Sequence, residues 1–366
     1  MPRVIGIDPG TLSVDLCGLD DGRLFLDRSF ATADALAEPS PLVALLEDAD
    51  RRAPLDLVAG PSGYGLPLTR ARDLTEEDVR LACLAPSGES GGIGGLGTLM
   101  RTLARVQAPV VFTPGVVHLA SVPPHRKVNR VDMGTADKVC AAALAVREQS
   151  ERRQCGVDEA SFILLELGGG FTAGIAVERG RIVDGVGGTS GPIGPRAAGA
   201  LDGDVAYLAG SVTKRMLFTG GADSIAGASD WAVDRAAATP QGRQAMAAYV
   251  ESAVKAVAGL RVSAPSACEV ILSGRLAAEA GVHDALVSRL SEAASTLPVR
   301  PLSGFARVAK QSAQGAALIA DGLAGGRAKD VVEAMEIRHA SGTVLDYLHV
   351  ITKADALARL GIVRSG

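Results

Sequence analysis

Leu165-Glu166-Leu167-Gly168-Gly169-Gly170-Phe171-Thr172 places three glycines in a row between two apolar segments of strand length, Phe162 to Leu167 and Thr172 to Glu178. Consecutive glycines cost backbone entropy and contribute no side chain to a ladder. A flexible hairpin tip tolerates them. A backbone that must come close to an anion uses them, because without a Cβ its N–H groups can approach a phosphate. Thr172 would add a hydroxyl donor at the same turn.

A third strand, Arg181 to Val186, follows across Arg179-Gly180, so the glycine run is the first turn of a three-stranded meander. The N-terminus has the same plan. Val4 to Ile7, Val14 to Leu19 and Leu24 to Phe30 are separated by Asp8-Pro9-Gly10-Thr11 and by Asp20-Asp21-Gly22. Each meander leads into mixed helices and strands. The first is followed by a helix (Leu42 to Arg51), a strand (Leu55 to Ala59), a helix (Leu99 to Val106), a strand (Val110 to Phe112) and an Ala-rich helix (Ala136 to Glu148). After the second come a helix over Gln244 to Leu260, a strand at Val270 to Leu272, a mostly helical stretch over Ala277 to Ala294 and a helix over Ala306 to Leu323. In the Gln244 helix, Met246, Tyr249, Val250, Ala253, Val254 and Val257 recur at helical spacing. No close sequence repeat exists, but the architecture repeats. The expected fold is α/β, with two lobes that are each a mixed sheet with an antiparallel three-stranded start, flanked by helices, and a cleft between them. Residues 1–155 form the first lobe, 156–325 the second, and 326–366 an extension packing back on both.

The 366 residues are more than one ordinary core requires. Hydrophobic residues make up 47%, charged 21% and aromatic only 3%, which describes a globular chain packed with small aliphatics. A formal charge of −4 supplies no electrostatic reason to bind nucleic acid or an anionic membrane. Cys17, Cys83, Cys140, Cys155 and Cys268 are scattered and form no C-x-x-C pair, so they read as reduced thiols rather than staples or zinc ligands. The strand-like run at Arg3 to Ile7 leaves no room for a basic-then-apolar leader, and no apolar run reaches bilayer length. A cytoplasmic location is expected.

Two further segments match the glycine run in chemistry. Ile5-Gly6-Ile7-Asp8-Pro9-Gly10-Thr11 sets a carboxylate at the end of a buried strand before a small-residue turn. Glu269-Val270-Ile271-Leu272-Ser273-Gly274-Arg275 ends a buried strand in Ser-Gly at a helix start, which suits a flat ring or a phosphate lying on the backbone. Taken singly, the first is also an ordinary Asp-capped hairpin and the second a plain strand-to-helix turn. Gly92-Ile93-Gly94-Gly95-Leu96-Gly97 matches G-x-G-x-x-G formally, but it follows Pro86-Ser87-Gly88-Glu89-Ser90 rather than a strand. The region of Val116 to Leu119 also lacks the acidic residue that a dinucleotide site needs. No G-x-S-x-G elbow and no metal-ligand spacing among the five histidines is present.

In order and spacing, the three turns resemble the first phosphate, second phosphate and adenosine motifs of the acetate and sugar kinase, heat-shock chaperone and actin superfamily. Asp132-Met133-Gly134-Thr135-Ala136-Asp137-Lys138, leading into the Ala-rich helix, is similar to its first connecting segment. Gln314-Gly315-Ala316-Ala317-Leu318 is similar to the second, where a glycine lets crossing helices pack closely. Within that superfamily, Pro61-Ser62-Gly63-Tyr64-Gly65 and the Asp132 to Lys138 segment resemble the predicted butyrate kinases. The resemblance implies ATP and Mg²⁺ between the lobes and phosphoryl transfer to a small molecule, which the likeness to predicted butyrate kinases would make a short-chain carboxylate. It implies nucleotide contacts at Asp8, Gly10, Thr11, Gly168, Gly169, Gly170, Thr172, Ser273, Gly274 and Arg275, with Mg²⁺ held through water by Asp8 and Glu166. Many members carry Asp or His where this chain has Glu166. Asp8 and Asp137 would be the catalytic carboxylates. Asp137 would act as a base for a hydroxyl acceptor and be positional only for a carboxylate. Ser62, Gly63, Tyr64, Asp132 and Lys138 would bind the acceptor, with Lys138 or Arg126 offsetting its charge and the Ser87 to Gly97 loop beside it. A homodimer is compatible with this reading. So is an ATP-binding regulator of the same fold with little kinase activity.

Overall fold

The computed structural model describes residues 1–86, 95–229, 231, 239–293 and 297–362. Apolar alternation and glycine-bearing turns produce both meanders. β1 (Arg3–Pro9), β2 (Ser13–Asp20) and β3 (Arg23–Ala31) pair antiparallel in sequence order. β1 and β2 are buried along nearly their whole length, whereas β3 carries its polar residues on the sheet edge. The β2–β3 loop is the two residues Asp21 and Gly22, both left-handed at φ 48° and 71°, the mirror-image turn that matches strand twist. β4 (Leu57–Gly60) and β6 (Val110–Phe112) extend the sheet in parallel from β1, and short β5 (Thr69–Arg70) closes the edge. The order is β3-β2-β1-β4-β6-β5.

The second sheet repeats the first. β7 (Phe162–Leu167), β8 (Thr172–Glu178) and β9 (Arg181–Val186) form the meander. Its second loop is again two left-handed residues, Arg179 at φ 52° and Gly180 at 74°. β10 (Val270–Ser273) and β11 (Val299–Pro301) add in parallel, giving β11-β10-β7-β8-β9. Five strands of each sheet therefore share one topology, and the two-lobed fold read from the sequence is the one observed.

Two helices tie the sheets together. The connecting helix, Ala136–Arg153, is buried without a break from Val139 to Val146, so it is enclosed by protein on all sides. The return helix, Gln311–Leu323, is buried from Ser312 to Gly322. Bare backbone is what lets them stack. A Cβ at Gly6 of β1 would lie 2.1 Å from Ala317 N, and one at Gly315 would lie 1.8 Å from the Cys140 carbonyl oxygen. The expected helix crossing at Gly315 is thus present. A core continuous with these helices takes in Phe162, Leu164, Ile175 and Val177 of the second sheet, while Ile163, Leu165 and Leu167 face a separate core against the helix Pro240–Ser263.

Chain number and packing part company in two places. The return helix makes its main contacts with β1, β2, β4 and the connecting helix, although it follows the second sheet in the chain. The helix expected from Ala306 also begins later, at Gln311: Lys310 before it is extended at φ −60° and ψ 161°, and the amides of Ser303 to Ala309 are bonded instead to side chains from elsewhere. Beyond residue 325, Val331, Val332, Met335, Ile337 and Leu345 join the same core. Tyr347 accepts from the Asn129 amide at 2.8 Å, seating that segment on the first lobe. Among the described residues, no helix is long and apolar enough to cross a membrane.

Gly315→Ala should destabilise the protein by about 3 kcal/mol in urea unfolding, since the new methyl must push two buried backbones apart. Gly259→Ala, in a helix with nothing within 4 Å of the added carbon, should instead gain roughly 0.5–1 kcal/mol. Equal effects at the two sites would show that the helix crossing is not close-packed.

Candidate functional site

Both meander turns close with the same bond: the Gly10 amide donates to Ser13 O at 2.8 Å, and the Gly168 amide to Phe171 O at 3.0 Å. Those two amides are therefore engaged within their own turns. The turns face each other. A Cβ on Gly169 would stand 3.5 Å from Thr11 Oγ1 and 4.0 Å from Arg275 Nη1, and one on Gly170 would stand 3.5 Å from Thr11 Cγ2. None of the three glycines has a left-handed φ, but a Cβ on Gly168 would crowd the Phe171 carbonyl oxygen at 2.9 Å, so the hairpin itself requires only that one of the triplet. The Ser-Gly turn differs: Gly274 has φ 87°, and a Cβ there would sit 2.6 Å from Leu167 O.

The turns border one cavity of about 660 Å³ between the lobes. Its lining brings together Asp8, Gly10, Thr11, Gly168 to Gly170, Ser273, Gly274 and Arg275 with Gly63, Tyr64, Asp132, Asp137, Lys138 and Glu166. Most of the expected site thus converges. Gly95 and Leu96 continue from the glycine-rich loop, whose residues 87–94 lie outside the described set.

Charge is concentrated on the cavity floor. Asp8 and Asp15 are direct cross-strand partners, an arrangement that like charges destabilise. Lys310 answers it: its Nζ lies 3.2 Å from Asp8 Oδ2 and 3.0 Å from Asp15 Oδ2, and donates to Ser13 O at 3.1 Å. A Cβ on Gly10 would be 2.2 Å from that Nζ, so this glycine makes room for a lysine. Burial raises the Asp8 carboxyl, and Lys310 opposes the shift. Next to this cluster, Lys138 Nζ lies 2.5 Å from Asp137 Oδ2 and 3.0 Å from Glu166 Oε2. Burial pushes Asp137 up, but Lys138 and the Thr135 hydroxyl more than offset it, holding the carboxyl below its usual range. Burial raises Glu166, with Lys138 opposing. Glu166 Oε2 faces the Lys138 ammonium at 3.0 Å and takes no hydrogen bond from any other group among the described residues.

Four carboxylates against two ammonium groups leave two formal negative charges on the floor. Among the described residues, no group of three or more His, Cys, Asp or Glu is arranged to hold a metal ion by itself. Asp8 and Glu166 both line the cavity, and each stands against a lysine, Asp8 against Lys310 and Glu166 against Lys138.

Other expectations need correction. Thr172 is fully buried outside the lining, and its hydroxyl donates to Tyr249 Oη at 3.2 Å. Ser62 is likewise buried, donating to Thr113 O. Arg126 Nη1 donates to Val183 O at 2.8 Å and does not line the cavity. Lys138 is held between Asp137 and Glu166 rather than presented to an acceptor. Asp132 lines the cavity but also ties the lobes together, accepting from the amide and hydroxyl of Thr189 at 2.9 Å each. His118 is buried outside the lining, and desolvation holds its imidazole at about 4, hence neutral.

Sequence reasoning passed over Lys310, Asp15 and Lys214. Asp15 left a signal, a lone carboxylate in the otherwise apolar Val14 to Leu19 strand. Lys310 left none, since its partners are almost 300 positions away. Lys214 and Phe218 reach the cavity from a short 3₁₀ helix, Lys214–Phe218, that follows the second meander. The ammonium stands 4.7 Å from the Tyr64 ring centroid, and Phe218 packs edge-on against Phe171 at 4.6 Å.

Thr172→Val should lose about 1 kcal/mol of stability by orphaning the buried Tyr249 hydroxyl, with no change at the cavity. Gly169→Val should unfold at nearly the wild-type denaturant midpoint, because nothing blocks the added carbon. A strongly destabilised Gly169→Val protein would mean that the triplet serves the fold.

Solved structures with this architecture include a propionate kinase from Francisella tularensis subsp. tularensis SCHU S4 (TM-score 0.63, 12% identity, 86% of this chain and 99% of that one). Others are an acetate kinase from Porphyromonas gingivalis (0.59, 12%, 86% and 98%) and one from Entamoeba histolytica (0.56, 11%, 80% and 87%). At these identities the likeness establishes the fold alone. None of the curated proteins searched matches the sequence. A family model described as "Protein of unknown function (DUF1464)" matches residues 6–350, and with nearly the whole chain inside it, this protein belongs to the DUF1464 family.

Proposed function

We propose that the chain is an ATP-dependent kinase that phosphorylates a small carboxylic acid. The observation that carries this reading is the pair of glycine turns meeting across one cavity above an acid-rich floor. The similar structures named propionate and acetate kinase support it. Thr11 and Gly169 to Gly170, inside the turns, would bring their backbones to the phosphates. Arg275 supplies positive charge beside Gly169, and the Ser273-Gly274 turn receives the adenosine. Mg²⁺, when bound, would neutralise phosphate charge, with Asp8 and Glu166 orienting its waters.

Two features favour a carboxylate over a sugar. Ala82, Cys83, Leu96, Phe171, Leu217 and Phe218 give the acceptor end an apolar wall, with the Lys214 ammonium beside Tyr64 for the acid group. Sugar hydroxyls would call for several polar side chains there. Asp137 is also moved away from neutrality, so it is a poor base for a hydroxyl. A carboxylate is already ionised and needs no base. Its oxygen attacks the γ-phosphorus, the bond to ADP breaks, and an acyl phosphate and ADP leave with no net proton transfer. Asp137 would then orient Lys138 and Glu166.

Calorimetry with Mg²⁺ should show ATP binding to the wild type and its loss in Gly169→Val; no adenine nucleotide binding by the wild type would refute the reading. In coupled assays across acetate, propionate, butyrate and hexoses, carboxylates should be the substrates. Asp137→Asn should then lower the rate less than about tenfold, nearly independently of pH. A loss of about 10²–10⁴-fold with a hydroxyl substrate would instead mark Asp137 as a general base.

A further inference from the structure

Ser303 to Ala309 has no regular secondary structure, yet each of its amides is held by a side chain from another element. Glu148 accepts from Ser303 and Gly304 at 3.0 Å each, Gln314 Oε1 from Phe305 and Ala306 at 2.6 and 3.0 Å, and Asp27 from Arg307, Val308 and Ala309 at 2.9, 3.0 and 2.6 Å. Three acceptors thus fix seven consecutive amides of a strap along the cavity wall. Such a device locks backbone where neither helix nor sheet does so. What it delivers is Lys310, the residue after its last clasped amide.

Lys310 differs from the other lysine of the floor. The Lys138 side chain is 12% exposed and enclosed by its acids, whereas that of Lys310 is 36% exposed and lines the cavity beside Gly10. Its backbone is fixed while its four-carbon stem can rotate, which lets the ammonium redirect its donors. The buried Asp15 Oδ1 has no partner, so the acid pair that holds Lys310 is itself incompletely satisfied. The two turns also acquire matching cations, Arg275 against Gly169 and Lys310 against Gly10.

We propose that Lys310 is a catalytic cation that contacts the terminal phosphate of a nucleotide bound in this cavity, aimed by the Asp27–Glu148–Gln314 clasp. This rests on the nucleotide reading above. Lys310 moves no proton; its charge follows the phosphoryl oxygens as the bond to ADP breaks and the bond to the acceptor forms. If it served only to neutralise Asp8 and Asp15, removing it together with one of their charges would restore both the stability and the preference for ATP.

The test is calorimetry of ATP and ADP without divalent metal, on wild type, Lys310→Met, Lys310→Arg and the double variant Lys310→Met/Asp15→Asn, beside urea unfolding of each. The wild type should bind ATP more tightly than ADP. Lys310→Met should weaken ATP about 10- to 100-fold and ADP much less, and Lys310→Arg should keep most of the preference. The double variant restores the local charge balance, so it should recover stability without recovering ATP affinity. It also carries the comparison if the single variant fails to fold. An ATP-to-ADP ratio unchanged in Lys310→Met, a wild type with no such preference, or recovery of both properties in the double variant would overturn the inference. A wild type that binds no adenine nucleotide would overturn the nucleotide reading itself, and this inference with it.

Discussion

Bare backbone at Gly6 and Gly315 is the constraint from which the rest follows. A return helix that approaches β1 this closely, and is crossed as closely by the connecting helix, can bury nearly every residue it has. It then presents its N-terminal end at the tips of β1 and β2, where Lys310 meets Asp8 and Asp15. The same stack brings the start of the connecting helix, with Asp137 and Lys138, beside Glu166 of the second sheet. Any Cβ at the crossing would separate these layers and pull the floor of the cavity apart.

That floor is a balance of opposed costs. Taking carboxylates out of water is unfavourable unless cations or donors compensate, and truncating one partner of such a cluster leaves the other charge stranded. Here Lys138 and Lys310 compensate in part, residual negative charge persists along the cavity, and the unpartnered Asp15 oxygen lies buried behind its lining. Residual charge of this kind is common at functional sites and rare elsewhere. The strap of Ser303 to Ala309 shows the opposite policy. There every amide is answered by a side chain, which makes an irregular segment rigid.

Much of this was legible in the chain. The doubled meander with its two-residue turns, the glycine run and the Ser-Gly turn were each visible as strand-length apolar segments broken by residues with special backbone freedom. Strand periodicity and turn chemistry are local properties, so β7, β8 and β9 match their expected limits residue for residue. Donor assignments fared less well. Thr172 sits where a phosphate donor was expected, but strand alternation turned its side chain into the core toward Tyr249. Ser62 and Arg126 were drawn to nearby carbonyl groups. The helix expected from Ala306 has the right composition, but it begins only at Gln311, since its first residues belong to the irregular strap that Asp27 and Gln314 hold.

The sequence by itself determined the fold class, the duplicated plan and the residues that gather at the turns, because spacing and backbone permissiveness act over a few neighbours. Tertiary structure alone decided which side chains face the cavity, which cations answer which acids, and that a lysine near the end of the chain lies against an aspartate near its beginning. Ion pairing and burial depend on distance in space, and two residues about 300 positions apart carry no mark in the chain that they will meet.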